Sequence, residues 1–571
     1  MSRPKGIDRS RIRRELKKTF GLSRMRDGQE AVIDRVLQGK STLALMPTGA
    51  GKSLCYQLPA VLLEGITVVI SPLIALMKDQ CDTLRELGVQ AIEIHSGIRQ
   101  SELNDALLAL DEGRVRIVFT TPEQLASELL ERLARHRIAL LVVDEAHCLS
   151  QWGFDFRPAF QNIGSVIEPL GSPCVLALTA TATESVQADI LQLLRIPPDG
   201  VVNTDPFRPN LHYSVEHFSR AEDRRDRLLN LVAALEGSGV VYAATIKSAE
   251  ELHRSLVSAG ASVSIYHGRL GAARRREEQD AFMEGRVRVM VATNAFGLGI
   301  DKPDIRFVIH HQFPAGLDAY YQESGRAGRD GEAAACVLLC VGKDKAVQQF
   351  FLSGRYPRLH DFEEIVGALR KPPDDRHGWT EKELIATVSN AHKAAAALNM
   401  MRNADLLAAR EDGLLALRDG AIDADVMRKL AEAGEGRAMA DRENLERMVM
   451  YTMSGECRWL LLLRHLGSHG TLPCGACDNC VRRAMYAQSS ADAADDESAP
   501  GASETKTFRS GQRVRTRRHG PATVVSSSAD GVQVRFDNGQ ERSFLPEFLV
   551  AMPERRMRKG KGDAARAASA T

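Results

Sequence analysis

The chemistry-bearing residues begin with Met46-Pro47-Thr48-Gly49-Ala50-Gly51-Lys52-Ser53. An apolar run, Thr42–Met46, leads into this stretch, and Leu54–Leu63 leaves it with helical spacing. Strand, glycine turn and helix in that order make a phosphate-binding loop. Glycines let backbone N–H groups face the phosphates, a lysine reaches the β/γ-phosphates, and a following hydroxyl can ligate Mg²⁺. Thr48, Gly49, Gly51, Lys52 and Ser53 are therefore candidate ATP-binding residues, with Met46 standing where the full pattern has glycine. A second constellation closes the apolar run Leu140–Val143, as Asp144-Glu145-Ala146-His147. Two carboxylates past a buried strand suit nucleotide hydrolysis: Asp144 to hold Mg²⁺, Glu145 to orient or deprotonate the attacking water.

A third constellation is a cysteine cluster. Cys457 is followed by Cys474-Gly475-Ala476-Cys477-Asp478-Asn479-Cys480, and the remaining cysteines are scattered. Four thiolates with tight spacing suit a tetrahedral Zn²⁺, and a fully cysteine-filled shell makes that zinc structural, with no open catalytic position. An iron–sulfur cluster is the competing occupant. Scattered free cysteines beside one metal-type cluster point to a reducing compartment.

These groups need elements to hold them. Apolar runs at Thr67–Ile70, Val115–Thr120, Leu140–Val143 and Val175–Leu178 alternate with helical stretches, which predicts a parallel sheet flanked by helices. From Pro206 a second such series begins, with strands expected at Val240–Ala243, Val263–Tyr266, Val287–Thr293 and Arg306–Ile309. Ligands of such sheets sit beyond the carboxyl ends of the strands. Ser71-Pro72-Leu73, Thr120-Thr121-Pro122-Glu123 and Thr179-Ala180-Thr181-Ala182-Thr183 lie there, offering hydroxyls and N–H groups to phosphates.

A chain of 571 residues is too long for one core. With 75 Lys+Arg against 74 Asp+Glu, a nucleic-acid partner must bind local patches rather than a uniformly basic surface. No apolar stretch is long enough to span a membrane, and the basic N-terminal stretch (Arg3 to Arg14) is followed by no apolar segment of the secretory type. The expectation is a cytoplasmic, nucleoid-associated protein with no membrane partner.

The succession of these stretches resembles a superfamily 2 helicase, and the text after Asp144 narrows it. Asp-Glu-Ala-His-Cys-Leu-Ser-Gln-Trp-Gly-Phe-Asp-Phe-Arg-Pro (Asp144–Pro158) resembles the aromatic-rich loop of the RecQ family of DNA helicases. In that family the loop senses single-stranded DNA and couples it to ATP hydrolysis. Trp152, Phe154 and Phe156, with Arg157, are accordingly candidate DNA-binding residues, and each base–aromatic stack is worth roughly 1–3 kcal/mol. Phe154 stands where the family usually has histidine. Upstream, Phe20-Gly21…Arg26-x-Gly28-Gln29 resembles the adenine-reading stretch, with Gln29 on the base edge and Arg26 packed on the base. Leu22 and Met25 replace the usual aromatics.

In the second series, Val291-Ala292-Thr293-Asn294-Ala295-Phe296-Gly297-Leu298-Gly299-Ile300-Asp301 resembles the motif that places Thr293 on the DNA backbone and Asp301 on the ribose. Tyr320-Tyr321-Gln322-Glu323-Ser324-Gly325-Arg326-Ala327-Gly328-Arg329-Asp330 resembles the motif whose arginines cross the cleft to the γ-phosphate. Gln322, Arg326 and Arg329 thereby join Lys52, Asp144 and Glu145 as the expected catalytic set. The two arginines, three apart, would share one face if the stretch is helical. The cysteine pattern also closely resembles the RecQ zinc module.

The resulting fold class is α/β: two tandem RecA-like parallel-sheet domains, a helical/winged-helix region, a zinc-binding module and a small C-terminal SH3/Tudor-like β-barrel. The boundaries read 1–205 and 206–345 for the helicase domains, 346–446 for a connector and winged helix, and 447–485 for the zinc module. They continue with 486–506 for a disordered linker rich in Ala, Ser, Asp and Glu, 507–552 for the barrel and 553–571 for a basic tail. Thr380 with Glu383 makes a capping box ahead of the winged helix, where Asn390, His392, Lys393 and Arg402 are candidate duplex contacts and a purely structural bundle is the alternative. The barrel resembles ones that bind proteins on other bacterial helicases, which implies a protein partner beside single-stranded and duplex DNA. The resemblance implies an ATP-dependent DNA helicase moving 3′→5′, in recombination, repair and replication. An RNA helicase and an ATP-gated DNA clamp or adaptor are the other readings.

Overall fold

The computed structural model describes residues 8–126, 128–150, 158–296, 302–371, 378–404, 406–409, 414–418, 422–468, 470, 472–495, 508–516, 520–528 and 531–552. Trp152, Phe154, Phe156, Arg157 and Asp301 lie outside them. The chain divides into two compact units, Met1–Val449 with Trp459–Leu472, and Met450–Arg458 with Pro473–Thr571.

The first unit opens with a sheet of β1 (Thr42–Leu45), β2 (Ile66–Ile70), β3 (Ala91–Ile94), β4 (Ile117–Thr120), β5 (Ile138–Val143), β6 (Cys174–Thr179) and β7 (Val201–Asn203). Its order is β3-β4-β2-β5-β6-β1-β7 and every pairing is parallel. Strands in such a sheet are covered on both faces and read as continuous apolar runs. Their side chains alternate between two cores. Leu43, Leu45, Val68, Ile70, Leu141 and Val143 pack into one, while Ala44, Val69, Leu140 and Val142 pack into the other. The carboxyl ends consequently finish level, with Leu45 opposite Thr179 and Ile70 opposite both Thr120 and Val143.

A second sheet comprises β8 (Leu211–Phe218), β9 (Ser238–Tyr242), β10 (Val263–Tyr266), β11 (Val289–Ala292), β12 (Ile305–His310) and β13 (Ala334–Val341), ordered β10-β11-β9-β12-β13-β8 and again all parallel. In β9 only glycine fits at Gly239, where a Cβ would lie 2.0 Å from the Phe307 ring.

Helices Leu359–Leu369, Glu381–Thr387 and Ala391–Asn403 then precede a hairpin of β14 (Leu407–Ala409) and β15 (Leu415–Leu417), with Trp379 bridging to Leu415. These elements share a core around Phe362, Leu384, Leu398 and Leu415. The Thr380–Glu383 capping box is formed. Three of the expected duplex contacts also have partners within the fold. Asn390 caps its helix by accepting from the Lys393 backbone N–H, Lys393 Nζ lies 3.7 Å from Asp361, and Arg402 lies 2.9 Å from Glu381.

In the second unit, the helix that begins at Asp478 runs through Asp495, into the stretch that composition alone reads as linker from 486. Alanine is the strongest helix former, so a stretch rich in it continues a helix once a folded module has nucleated one. The C-terminal strands β16 (Arg513–Thr516), β17 (Gly520–Ser528), β18 (Gly531–Phe536), β19 (Glu541–Phe544) and β20 (Leu549–Ala551) form an antiparallel sheet ordered β19-β18-β17-β16-β20. Val514, Val524, Val532, Val534, Phe544 and Leu549 are buried within it, giving the expected small β domain. Its Leu545 N–H donates to the Met453 carbonyl at 3.1 Å, tying this sheet to the segment that precedes Cys457.

Candidate nucleotide and metal sites

The glycine loop bridges β1 and the helix Leu54–Leu62. Gly49 and Gly51 take φ of 86° and 75°, the left-handed region that lets consecutive N–H groups turn inward. The loop carbonyls are held from below. Gln29, 2% exposed, donates its side-chain amide to the Ala50 and Gly51 carbonyls at 3.0 and 2.9 Å, and Arg26 donates to the Gly49 carbonyl. Both residues expected to read adenine thus brace the glycine loop, and a base would compete for the Gln29 amide. Ser53 Oγ accepts from Gln80 Nε2 at 2.7 Å, and Gln80 Oε1 accepts from the Tyr56 hydroxyl. Gln80 fixes the hydroxyl beside Lys52 and has no motif to announce it; its only signal is its place on the helix after Ser71-Pro72-Leu73.

Asp144 follows β5, its N–H bonded to the Ile70 carbonyl at 2.9 Å, and is 8% exposed. Glu145 has φ of 50°, a strained conformation for a residue with a Cβ and one that recurs at functional sites. Burial and the adjacent Glu145 carboxylate push the Asp144 carboxyl well above its usual range. Burial also works against Glu145, but Lys52 and His147 outweigh it and hold that carboxyl low. A divalent cation at Asp144 would supply the countercharge that burial removes. His147 Nδ1 lies 3.0 Å from Thr179 Oγ1, linking the Asp-Glu-Ala-His turn to the end of β6.

Ser71, Thr120, Thr121, Thr179 and Thr181 are all buried, and Thr181 lines a cavity together with His147, Thr183 and Asp318. Thr293, 6% exposed, accepts from the Ala295 N–H at 3.4 Å and shapes the turn after β11.

Arg326 and Arg329 do not share a helical face. The helix Leu317–Ser324 ends before them, and they sit on consecutive turns that include Gly328 at φ 56°. Both nevertheless enter the cleft, where Lys52, Asp144, Glu145, Gln322, Arg326 and Arg329 line one cavity of about 470 Å³. Contact between the lobes is direct: a Cβ on Gly49 would lie 3.2 Å from Arg329 Cγ, and one on Gly325 would lie 3.5 Å from Thr48 Cβ. Arg326 is 4% exposed, and its Nε is buried without a hydrogen-bond partner among the described residues. A buried cation donor lining the same cavity as the glycine loop fits a phosphate chain.

In the second unit the four sulfurs of Cys457, Cys474, Cys477 and Cys480 lie within 4.8 Å of one another. Cys474 Sγ is 4.0 Å from Cys480 Sγ, and Cys477 Sγ is 4.0 Å from Cys457 Sγ. Ligands about 2.3 Å from a tetrahedral centre would sit about 3.8 Å apart, so the set fits Zn²⁺. The Cys474, Cys477 and Arg458 backbone N–H groups donate to Cys457, Cys474 and Cys477 sulfurs at 3.3, 3.3 and 3.4 Å. Arg458, fully buried, forks onto Asp478 at 2.9 Å through both Nε and Nη2 and locks the second ligand loop to the first. Hydrogen bonding with Cys457 pushes the Cys474 thiol up to about 11, so a bound cation is what would hold the set as thiolates.

A glycine loop, paired carboxylates and trans-cleft arginines on two parallel sheets define a nucleotide-driven helicase core, and the comparisons agree. Residues 26–189 match the DEAD/DEAH box helicase family, 223–331 the helicase conserved C-terminal domain, and 421–481 the RecQ zinc-binding family. The ATP-dependent DNA helicase RecQ of Synechocystis sp. is 34% identical over 492 residues, covering 83% of this chain and 99% of that one. The RecQ of Bacillus subtilis is 43% identical over 338 residues, covering 58% of this chain but 56% of its own length. The chain belongs to the RecQ family. Among solved structures, the DUF1998 helicase MrfA bound to DNA shares the fold with a TM-score of 0.52 at 19% identity, over 75% of this chain and 64% of that one. Among the described residues, no helix is long and apolar enough to cross a membrane.

Proposed function

We propose that this chain is an ATP-dependent DNA helicase of the RecQ type that moves 3′→5′ along single-stranded DNA and separates the duplex ahead. The observation that carries this reading is the single cavity lined by Lys52, Asp144 and Glu145 from one lobe and Arg326 and Arg329 from the other. Lys52 and the glycine-loop N–H groups would take the phosphates, with Ser53 and Asp144 holding Mg²⁺. Bound Mg²⁺ supplies positive charge to the β- and γ-phosphate oxygens. Glu145 would orient the attacking water, and Arg326 and Arg329 would stabilise charge developing on the γ-phosphate. Because the groups come from both lobes, hydrolysis removes the ligand that favours closure, and the lobes shift population toward an open state. Alternating grip on a strand converts that cycle into stepping. Trp152, Phe154, Phe156, Arg157 and Thr293 are the proposed DNA contacts and Asp301 the ribose contact. The β domain is proposed to bind a protein.

The test is strand displacement with ATP and Mg²⁺ on DNA duplexes carrying a 3′ or a 5′ tail, beside a 3′-tailed RNA duplex. Release of the 3′-tailed DNA alone, lost in Lys52→Ala, is the expected result. DNA-stimulated hydrolysis without release would replace the helicase by an ATP-gated clamp, and a preference for RNA would overturn the DNA assignment.

A further inference from the structure

Between the two sheets runs the segment Thr204–Asn210, Thr-Asp-Pro-Phe-Arg-Pro-Asn, which carries none of the nucleotide motifs. At its start Thr204 donates to the Leu45 carbonyl, the last residue of β1, through both its backbone N–H and its hydroxyl, each at 2.9 Å. At its end it grips the arginine turn. Arg208 Nη1 donates to the Gly325 carbonyl at 2.7 Å, and Nη2 donates to the Ala327 and Gly328 carbonyls at 2.7 and 2.5 Å. Asn210 Nδ2 adds bonds to the Gly328 and Glu332 carbonyls, both at 2.8 Å. The Pro206 carbonyl accepts from the Tyr321 hydroxyl at 2.9 Å, fixing the strap to the helix that precedes the turn.

We infer that Arg208 is a positioning residue, which sets the register of Arg326 and Arg329 over the glycine loop and ties it to the loop's own strand. The turn it grips has no helical ladder to hold it, because its carbonyls lie past the end of the helix Leu317–Ser324. One planar guanidinium bonded to three carbonyls of the turn supplies the missing constraint, and prolines on both sides stiffen the backbone that presents it. A lysine, with a single nitrogen, cannot span those carbonyls. Gly328 is part of the fit, since a Cβ there would lie 2.4 Å from Asn210 Nδ2. The inference rests on the proposal that Arg326 and Arg329 act on the γ-phosphate, and goes beyond it in assigning what aims them.

The experiment is a mutant cycle on the full chain, measuring DNA-saturated ATP turnover for Arg208→Ala, Arg208→Lys, Arg326→Ala and the Arg208→Ala/Arg326→Ala pair. Misplacing a catalytic group by an ångström costs about 10²-fold, so Arg208→Ala should lower kcat by about that factor while KM for ATP and DNA affinity move less than about threefold. Arg208→Lys should fall by about tenfold with an unchanged melting temperature, which separates aim from folding. Arg208→Ala should cost less in the Arg326→Ala background than in the parent, because only Arg329 is left to position. Multiplying losses, or a raised KM with retained kcat, would overturn the inference. A slow Arg326→Ala beside a fast Arg208→Ala removes the positioning role alone, whereas Arg326→Ala at the parent rate brings down the arginine reading itself.

Discussion

The two halves of the nucleotide site are built by different means. In the first lobe, Asp144 and the glycine loop extend directly from β5 and β1, strands covered on both faces and anchored by hydrogen bonds at their last residues. In the second lobe, Arg326 and Arg329 sit on turns beyond a helix end, and side chains from elsewhere hold the turn carbonyls. A group on a strand end inherits the rigidity of a core. A group on a turn is only as well placed as its clamp. The carboxylate and lysine half rests on strand ends, with its loop braced by Gln29 and Arg26, and the arginine half depends on its clamp.

The sharpest way to break that contrast is Arg326→Ala. An arginine acting on a transferring phosphoryl group is worth about 10³–10⁵ in kcat, so turnover should fall by at least about 10³-fold with ATP affinity nearly unchanged. Equal losses in affinity and turnover, read from steady-state kinetics and nucleotide titration, would mean that the arginine serves binding and that the halves are not distinct. A smaller effect is expected where the halves touch. Gly49→Ala places a Cβ at φ 86° and 3.2 Å from Arg329 Cγ, so strain and a displaced arginine together should lower turnover by about 10–10²-fold. Crystals or hydrogen exchange should show the change confined to the cleft. Smallest is Gln80→Ala, which frees Ser53 without touching the arginines. The concentration of Mg²⁺ giving half-maximal turnover should rise by about tenfold, the lower bound for loss of an outer-shell partner, while kcat at saturating Mg²⁺ is retained. A fall in kcat that excess Mg²⁺ does not restore would show that Gln80 does more than orient the hydroxyl.

Much of this was legible in the sequence wherever one residue type at one spacing has one physical use. Gly49, Gly51, Lys52 and Ser53 follow a buried strand; Asp144 and Glu145 end another; and Cys457, Cys474, Cys477 and Cys480 converge as their spacing requires. The apolar runs gave strands within a residue or two at β2, β5, β9 and β12. Two strands of the second sheet escaped. β8, Leu-His-Tyr-Ser-Val-Glu-His-Phe, carries polar residues at alternate positions of an edge strand, and β13 mixes alanine and cysteine. The arginine turns escaped because helical spacing says nothing about a helix that stops at Ser324. Arg208 escaped because its partners are carbonyls, which every residue has. The intramolecular partners of Asn390, Lys393 and Arg402, a helix N–H and two carboxylates, carry no sequence signal of their own.

The placing of β1 has a consequence for synthesis. Its neighbours are β6 and β7, and the Thr204 hydroxyl closes on Leu45 across 159 residues of chain. The glycine loop leaves the ribosome early but has no sheet to stand on until that distant segment follows. At about 5–20 residues per second, the delay is on the order of ten to thirty seconds. Throughout that interval the nascent chain carries the motif for binding ATP without the architecture to do so, which keeps an unfinished motor from engaging its fuel.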